Sequence, residues 1–389
     1  MPFLRGSLSF ERFSVANFGS DFFDDSHIEA MQRQVAGNVE TTSEENVHIG
    51  FLGGDHLFDQ TIELGKNVIN DAVHAAVRID TNQIPPAIRN AWLQMELAGL
   101  AKDLPNGKLT KAHRTEAKEA VEARCLAEAA TGKYRKMAAS AWLWDLRRET
   151  LYFGGSSTAA SLCADLIERI FEVELRRLTA GGIAVDWAKE NGRFERLDEL
   201  MPAGFVEEQT VAQLPWTNEH SRSPDFLGNE FLLWLWWYLD QESDALQLPD
   251  ESEVTVMLSK TLSLECPLGE SGKDVIAAES PVKLPEARQA LRSGKLPRKM
   301  GMTLVRDGLR FECVLQAETF AIGGAKIATT DDESMDSEER IAAIGQLTDT
   351  IDGMFLRFCE RRTSEAWPQE LEQIRQWLKQ GPAKSQRAA

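Results

Sequence analysis

The sequence predicts an α+β fold built on antiparallel sheets. Segments such as 8–15 alternate apolar and polar residues, which indicates strands because successive side chains of a strand point to opposite faces. Segments such as 87–104 repeat apolar residues at helical spacing. Turns at Arg147-Arg148 and Asp307-Gly308 join neighbouring strand segments and so predict hairpins. A length of 389 residues predicts two or three domains.

The N-terminal elements follow from these patterns in chain order. Strands are predicted at residues 8–15, 47–52 and 70–79, and a helix is predicted at 28–35. Pro85-Pro86 then opens an amphipathic helix that runs to about residue 104. Its apolar stripe consists of Leu93, Leu97, Leu100 and Leu104, with Ile88, Trp92 and Met95 alongside.

A second helix is predicted from about residue 108 to Ala130, after the break at 104–107. Gly132 ends this helix, and the short basic stretch 133–136 follows as a loop. A β-hairpin is predicted next, with strands at 141–145 and 150–153. Ser156 or Ser157 caps a further helix, for which apolar residues at helical spacing predict an end at Leu178.

Residues 183–250 combine a proline-containing loop with the apolar run at 231–239, which carries Trp234, Trp236 and Trp237. Aromatic clusters can form a platform on which nucleotide bases stack. Because this run is uninterrupted and has acidic flanks that repel phosphates, a buried core or interface helix is the favoured interpretation.

The C-terminal part predicts strands at 253–266, 299–305 and 309–315 and a short helix at 285–292. Two helices, at 337–362 and 368–379, close the chain before a polar tail that we expect to be frayed. The sequence predicts five units. They are an N-terminal α+β region (1–104), a basic finger with its hairpin and helix (105–182), a loop with the Trp-rich insertion (183–250), a C-terminal α+β region (251–365), and a terminal helix with its tail (366–389).

Composition and cysteine usage narrow the class of protein. The chain is 43% hydrophobic and 27% charged, which is typical of a globular protein. The N-terminus has no secretory signal, and the longest apolar run of nine residues is too short to cross a membrane. Five scattered cysteines without a CxxC pair favour reduced thiols. We therefore expect a cytoplasmic protein without a membrane partner.

Charge is distributed very unevenly along the chain. The formal net charge is −18, but residues 102–148 carry a local charge of +5 and residues 283–310 carry +6. Acidic residues concentrate in 21–59, 240–253 and 331–339. This asymmetry is typical of a polyanion-binding face on an otherwise acidic protein, although both basic stretches would also serve as ordinary solvated helix faces.

Signatures of catalysis are missing from the sequence. It contains no phosphate-binding GxxxxGK[ST] loop, no HExxH, no GxGxxG after a strand and no GxSxG. His48 and His56 with Asp55 and Asp59 are a weak candidate for a metal cluster, since such residues in acidic loops are usually solvated. We therefore predict a protein that is not an enzyme and has no cofactor.

The basic segments predict a contact with nucleic acid. Lys111, Arg114 and Lys118 share one helix face, and Tyr134 stands among cations where its ring can stack on or wedge against a nucleotide. No base-reading motif is present, so the contacts would neutralise phosphates without reading sequence. Three acidic residues interleave with the lysines, namely Glu116, Glu119 and Glu122. The alternative is that some of the lysines only form ion pairs with these glutamates within the helix. The predicted DNA-binding residues are Lys108, Lys111, Arg114, Lys118, Arg124, Lys133, Tyr134, Arg135, Lys136, Arg298 and Lys299, with Arg288, Arg292 and Lys295 beside the last two.

The order of these segments resembles the recombination-associated protein RdgC family. The resemblance is carried by GFLGGDHLF, NDAVHAAVRIDTNQIPPAIRNAWLQMELAGLAK, the basic helix GKLTKAHRTEAKEAVEAR, the hairpin WLWDLRRETLYF, and PEARQALRSGKLPRKMGMTLVRDGLRFECVL. It spans most of residues 1–180 and 250–330, and residues 183–250 fall outside it. Tyr134 lies where the family has an aromatic residue at the tip of its finger.

The resemblance implies a horseshoe-like subunit of several parts, with antiparallel sheets, a basic helical finger and C-terminal helices. Two such subunits would close into a homodimeric ring whose positive hole surrounds duplex DNA. Family members bind DNA with little sequence preference and restrain RecA-type recombinases, which implies a nucleoid-associated protein. The alternatives are an acidic protein-interaction module that inhibits a partner without binding DNA, and a metal-dependent nuclease that uses the acidic clusters.

Overall fold

The fold is α+β in the computed structural model, which describes residues 2–37, 47–102, 104, 106–206, 223–267, 272–331 and 334–380. Within this part of the chain the strands are β1 Leu8–Ala16, β2 Val47–Leu52, β3 Val68–Ile69, β4 Ala72–Asn82, β5 Arg135–Asp145, β6 Thr150–Gly154, β7 Glu174–Arg177, β8 Ala245–Gln247, β9 Glu253–Glu265, β10 Asp274–Ala278, β11 Leu296–Arg306, β12 Leu309–Gln316 and β13 Ile322–Thr329. The helices are α1 Asp25–Gln32, α2 Leu64–Asn67, α3 Pro86–Lys102, α4 Lys111–Ala130, α5 Ser157–Phe171, α6 Ala180–Glu190, α7 Phe194–Asp198, α8 Phe226–Gln241, α9 Pro285–Arg292, α10 Ser337–Arg362 and α11 Trp367–Lys379.

All the strands belong to one antiparallel sheet. Its order is β10-β9-β11-β12-β13-β1-β6-β5-β4-β2, and β3, β7 and β8 pair at the sides of β4, β1 and β9. β1 joins the two halves, because it pairs with β6 on one side and with β13 on the other. The strands from the two ends of the chain therefore form one continuous sheet.

Helices cover opposite faces of this sheet in its two halves. In the N-terminal half, Trp142 and Trp144 of β5 pack against α1 and α5. Leu143, on the other face of β5, belongs to a larger core that also contains β9, β11, β12, α8 and α10. The face of β9–β13 that points away from this core stays open, since residues such as Met257 and Val275 are largely exposed there.

The Trp-rich helix α8 lies in the centre of the larger core, which confirms its interpretation as a buried helix. Trp234, Trp236 and Trp237 are almost completely buried. Gly228 at the start of α8 permits a close approach, because a Cβ atom there would lie 1.9 Å from the carbonyl oxygen of Ala317. Apolar residues on all sides of the helix are thus explained by protein neighbours on all sides.

The helix that begins after Ser156 is shorter than predicted. The Ser156 hydroxyl accepts a hydrogen bond from the Ala159 amide and caps α5, as expected. The prediction of an end at Leu178 is wrong, because Glu172 adopts a left-handed backbone conformation with φ of 54° and ends the helix. Leu175 then pairs with Val15 in the ladder between β7 and β1. The position of Leu175 in the sequence is compatible with the alternation of a strand as well as with the apolar spacing of a helix.

Other elements differ from prediction in detail. The hairpin at Asp307-Gly308 is confirmed, with positive φ at both turn residues, and helix α10 spans the predicted residues. Strands β3, β7, β8, β10 and β13 were not predicted, and neither were helices α2, α6 and α7. Basic residues Arg135 and Lys136 belong to strand β5 and not to a loop. The predicted frayed tail at 381–389 lies outside the described residues.

Helices α6 and α8, which lie largely within residues 183–250, share a core with the rest of the protein. α6 contacts α8, and α8 contacts β11 and α10. Gly181 of α6 packs closely against the chain just before α8, since a Cβ atom there would lie 2.7 Å from the Pro224 nitrogen. The part of this segment that the structure describes is therefore integrated into the C-terminal core.

Candidate nucleic-acid interface

The basic helix α4 lies at the end of the long pair of neighbouring strands β4 and β5, which we call the ribbon. β4 and β5 pair without interruption from Ala72 and Asp145 to Asn82 and Arg135. The chain leaves β4 into α3, returns through α4, and enters β5, so the two helices form a hairpin at the end of the ribbon. We call this helical hairpin with residues 106–110 and 131–136 the finger.

Local sequence determines both ends of α4. The Thr110 hydroxyl accepts a hydrogen bond from the His113 amide, and the His113 ring accepts one from the Thr110 amide. This reciprocal cap starts the helix at Lys111, slightly later than predicted. Gly132, with φ of 71°, follows the end of the helix, as expected for a residue that takes the left-handed conformation without strain.

The two finger helices pack through few buried residues. Trp92 is the one buried residue of α3, and Ala117, Val121 and Ala129 are buried on α4. The Arg124 guanidinium lies over the Trp92 ring, 4.4 Å from its centroid, which is a favourable cation–π geometry. Arg124 is therefore both a solvent-exposed cation and a part of the packing between the helices.

The predicted finger residues lie at the protein surface, along α4 and beyond its two ends. All the predicted cations of the finger are exposed and Tyr134 is half-buried; the cations are Lys108, Lys111, Arg114, Lys118, Arg124, Lys133, Arg135 and Lys136. The Lys133 ammonium lies 5.5 Å from the centroid of the Tyr134 ring. An aromatic ring at the exit of α4 therefore stands beside a cation, as predicted.

Only some of these cations form an ion pair with a carboxylate of the described residues. Arg135 pairs with Asp80, which also holds Arg78 at 3.0 Å, and Lys133 lies 3.8 Å from Glu128. In the part of the chain that the structure describes, Lys108, Lys111, Arg114, Lys118 and Lys136 form no ion pair within 4 Å. Their ammonium and guanidinium groups face solvent and are available to an anion.

The intrahelical pairs offered as an alternative for α4 are not formed among the described residues. Glu122 pairs with Arg89 of α3 at 2.6 Å, so it bridges the two helices. Glu116 and Glu119 are exposed, and neither forms an ion pair with another described residue. The lysines of α4 are therefore not neutralised by the acidic residues that interleave with them in sequence.

Much of the second predicted basic patch is engaged inside the fold. Arg298 contacts Glu318 at 2.8 Å and Glu265 at 3.1 Å, Lys295 pairs with Asp274 at 2.6 Å, and Arg288 pairs with Asp240 at 2.6 Å. Arg292 donates to backbone carbonyl groups at the end of α11. Of the two predicted contact residues in this patch, Arg298 is thus bound by carboxylates, and Lys299 alone is exposed.

Lys299 belongs to a cationic surface that was not predicted from the sequence. It projects from β11 on the open face of the sheet, opposite the buried Met300. Arg310 and Glu312 project from the same face of β12, because they alternate with the buried Phe311 and Cys313. The register between strands places Lys326 beside Glu312, and Lys260 pairs with this carboxylate. We call Lys260, Lys299, Arg310 and Lys326 the sheet-face cations.

The carboxylate of Glu312 lies among three of these cations, Lys260, Arg310 and Lys326. The hydrogen bond from Lys260 lowers the pKa of Glu312 below its ordinary value, and the charges of Lys260, Lys326 and Arg310 act in the same direction. Glu312 therefore stays ionised at neutral pH and pairs with Lys260. The alternation of charged with apolar residues along β12 was the sequence signal for this surface.

The finger and the sheet-face cations are connected through the sheet. Lys136 alternates along β5 onto the same face as Trp142. Trp142 pairs with Phe153 of β6, and Phe153 pairs with Glu11 of β1, so these three side chains lie on the same face of the sheet. On the other side of β1, Lys326 of β13 lies on this face as well. Lys136 and the sheet-face cations thus lie on one side of the continuous sheet, with α1 and α5 covering that side of its N-terminal half.

The weak candidate for a metal site is explained by an ion pair. Lys66 lies 2.6 Å from Asp59 and 3.1 Å from Asp55, and so forms an ion pair with each carboxylate. Among the residues that the structure describes, no group of three or more His, Cys, Asp or Glu side chains is arranged to hold a metal ion. None of the five cysteines forms a disulfide, and Cys125 on α4 is the one that is not buried.

Within the described ranges, no helix combines the length and the apolar character needed to span a bilayer. No protein-family model and no curated protein matches this chain.

Proposed function

We propose that this protein binds DNA without sequence preference, through the finger and the sheet-face cations. The observation that carries the proposal is the set of five exposed finger cations that have no ion pair among the described residues. Such groups gain affinity by neutralising phosphates and releasing counterions, which requires no base-specific contact. Tyr134 would contribute by stacking on a base or wedging into a step of the duplex.

The acidic net charge is compatible with this proposal. Charges separated by more than about 8 Å are largely screened at physiological ionic strength, so a DNA backbone responds to the cations near it. The formal charge of −18 is carried mainly outside the finger and the sheet face. An acidic exterior would also oppose non-productive contacts of DNA with the remaining surface.

We further propose, from the resemblance to the RdgC family, that two horseshoe-like subunits form a ring around duplex DNA. In this form the protein would be nucleoid-associated, non-enzymatic, and would restrain a RecA-type recombinase. The finger and the sheet-face cations would then line the hole, and their common side of the sheet supports that arrangement.

The rival function is a protein-interaction module that uses its acidic surface and Trp-rich helix. The three tryptophans of α8 are buried in the larger core, so they offer no surface to a partner. DNA binding is therefore the better supported of the two functions.

A salt titration tests the proposed function. Binding of the full chain to a random-sequence duplex is followed by fluorescence anisotropy as salt is raised. Each neutralised phosphate should contribute about −0.9 to the slope of log K against log salt, so the affinity should fall steeply. Absence of binding at low salt, or binding without a salt slope, would contradict the proposal.

The double variant Lys111→Glu with Lys118→Glu tests the finger itself. Reversing two unpaired cations should lower duplex affinity by roughly tenfold or more and should make the salt slope shallower by about two phosphate contacts. The matched control is Arg169→Glu with Lys189→Glu, which makes the same change of charge at exposed positions on α5 and α6. Equal losses in both double variants would assign the effect to overall charge and remove the finger from the interface.

A further inference from the structure

A cleft lies in the finger between its two helices. It has a volume of about 750 Å³ and is bounded by α3, α4 and the segment that links β4 to α3. Arg89 and Glu122 both line it, and their ion pair crosses from one helix to the other. This volume is within the range of pockets that bind small ligands, which is about 300–1,000 Å³.

The cleft offers three kinds of contact. Its apolar wall includes Leu93, Val121 and Leu126, and Leu126 is 62% exposed although it is a large apolar side chain. Lys118 and Lys136 line it, and neither has an ion pair in the part of the chain that the structure describes. Apolar surface, polar amide groups and unpaired cations thus meet in one place.

Asn82 supplies an unused hydrogen-bond acceptor in the lining. Its side-chain amide donates to the carbonyl oxygen of Ala129, which holds the end of α4 against the ribbon. Its Oδ1 atom is buried and has no hydrogen-bond partner among the described residues. A buried acceptor without a partner costs free energy, and a donor from a ligand would relieve this cost.

We infer that this cleft binds one unstacked nucleotide of a DNA strand, an inference that rests on the proposed function. A nucleobase has apolar faces for Leu93 and Leu126 and edge donors for Asn82, and its phosphate is an anion for Lys118 and Lys136. A base inside a duplex is covered on both faces by its neighbours and must leave the stack before it enters such a cleft. The finger therefore prefers single-stranded or locally opened DNA to intact duplex.

The test compares two charge-matched variants. Leu126→Glu places a carboxylate in the cleft wall, whereas Met95→Glu places one on α3 at a residue that does not line the cleft. The two side chains are 62% and 63% exposed, so both variants should fold. Anisotropy titrations with a short oligothymidylate and with a random duplex give the ratio of single-strand to duplex affinity. We expect Leu126→Glu to lower this ratio by about tenfold and Met95→Glu to leave it unchanged.

Alkylation of Cys125 gives an independent measure of occupancy. Cys125 lines the cleft, and the other four cysteines are buried, so a maleimide reports mainly on this thiol. Saturating oligothymidylate should slow its alkylation several-fold, and a duplex at equal saturation should slow it less.

The outcomes separate this inference from the proposed function. If the duplex binds with a steep salt slope but both Glu variants change the ratio equally, the cleft proposal is wrong and the proposed function stands. Protection of Cys125 that rises with protein concentration and not with oligothymidylate would assign the cleft to a second copy of the chain and would also overturn the proposal. If neither DNA binds at low salt, the proposed function itself fails.

Discussion

Neighbouring residues of the same charge have different roles in this protein. Arg78 and Arg135 share the carboxylate of Asp80 at the base of the finger, where they stabilise the end of the ribbon. Lys111 and Lys118, a short distance along the chain, have no ion pair with any described residue. Removing a member of the first group should affect stability, whereas removing a member of the second should affect DNA binding.

At the scale of one residue, His74 predicts a dependence of stability on pH. Its side chain is 3% exposed and both ring nitrogens lack a hydrogen-bond partner among the described residues. Burial, assisted by nearby positive charge, lowers its pKa from 6.5 to about 4. The unfolded chain therefore binds a proton between these pH values while the folded protein does not. The free energy of unfolding should fall by about 2 kcal/mol between pH 7 and pH 5 through this group.

Urea denaturation at pH 7 and pH 5 measures this effect. His74→Leu should lose that part of the pH dependence, because it has no group to protonate. His56→Gln removes an exposed imidazole and should retain the full dependence. An unchanged difference between the two pH values in His74→Leu would show that other groups cause it.

At the scale of elements, the finger depends on how two helices are attached to a ribbon. The reciprocal cap at Thr110 and the left-handed Gly132 set the ends of α4, and the pairing of β4 with β5 sets the position of both helices. The helices bury few of their own residues against each other. The cleft between them is the consequence of this sparse packing.

The end of α5 provides a prediction about backbone strain. Glu172 ends the helix with φ of 54°, a conformation that is unfavourable for residues with a Cβ atom. Glu172→Gly should therefore raise the free energy of unfolding by about 0.5–1 kcal/mol, measured by urea denaturation. Asp165→Gly makes the same replacement of an exposed acidic residue within α5 and should lower it by a similar amount. Destabilisation by both would mean that position 172 carries no relievable strain.

At the scale of the whole molecule, the two halves are joined by the sheet and by charged contacts to α10. The guanidinium of Arg12 in β1 makes two hydrogen bonds of 2.7 Å to Asp352 of α10. Arg148, in the turn between β5 and β6, contacts Asp349 of the same helix at 3.0 Å. α10 thus connects the N-terminal half of the sheet to the C-terminal core.

Asp352→Ala tests this connection. Arg12 is 3% exposed and would stay buried without its partner, which should lower the free energy of unfolding by about 3 kcal/mol. The loss should lie at the low end of the range for buried pairs, because Asp352 itself is 27% exposed. Thermal and urea denaturation measure it, and the double variant Arg12→Met with Asp352→Leu should recover much of the loss. Equal stability of Asp352→Ala and the native chain would mean that the pair does not hold the halves together.

Local patterns in the sequence predicted most elements and the composition of the finger. The boundaries of β2, α9 and α10, the hairpin at Asp307-Gly308 and the burial of the Trp-rich helix follow from alternation, helical spacing and turn chemistry, which act over a few residues. The exposed cations of α4 follow for the same reason. The left-handed Glu172 and the helix α6 did not follow, because neither has a decisive local signal.

Tertiary structure alone decided which cations are available to a ligand and which are not. Arg298 and Lys299 are adjacent in sequence, but they point to opposite faces of the sheet because side chains alternate along β11. Arg298 therefore pairs with Glu265 and Glu318, and Lys299 is exposed on the open face. Lys260, Arg310 and Lys326 meet only because four strands, β9, β11, β12 and β13, pair in a particular register. The sequence by itself determined where charge is concentrated along the chain. Pairing between distant strands determined where that charge lies in space, because a charge is neutralised by its neighbours in space and not by those in sequence.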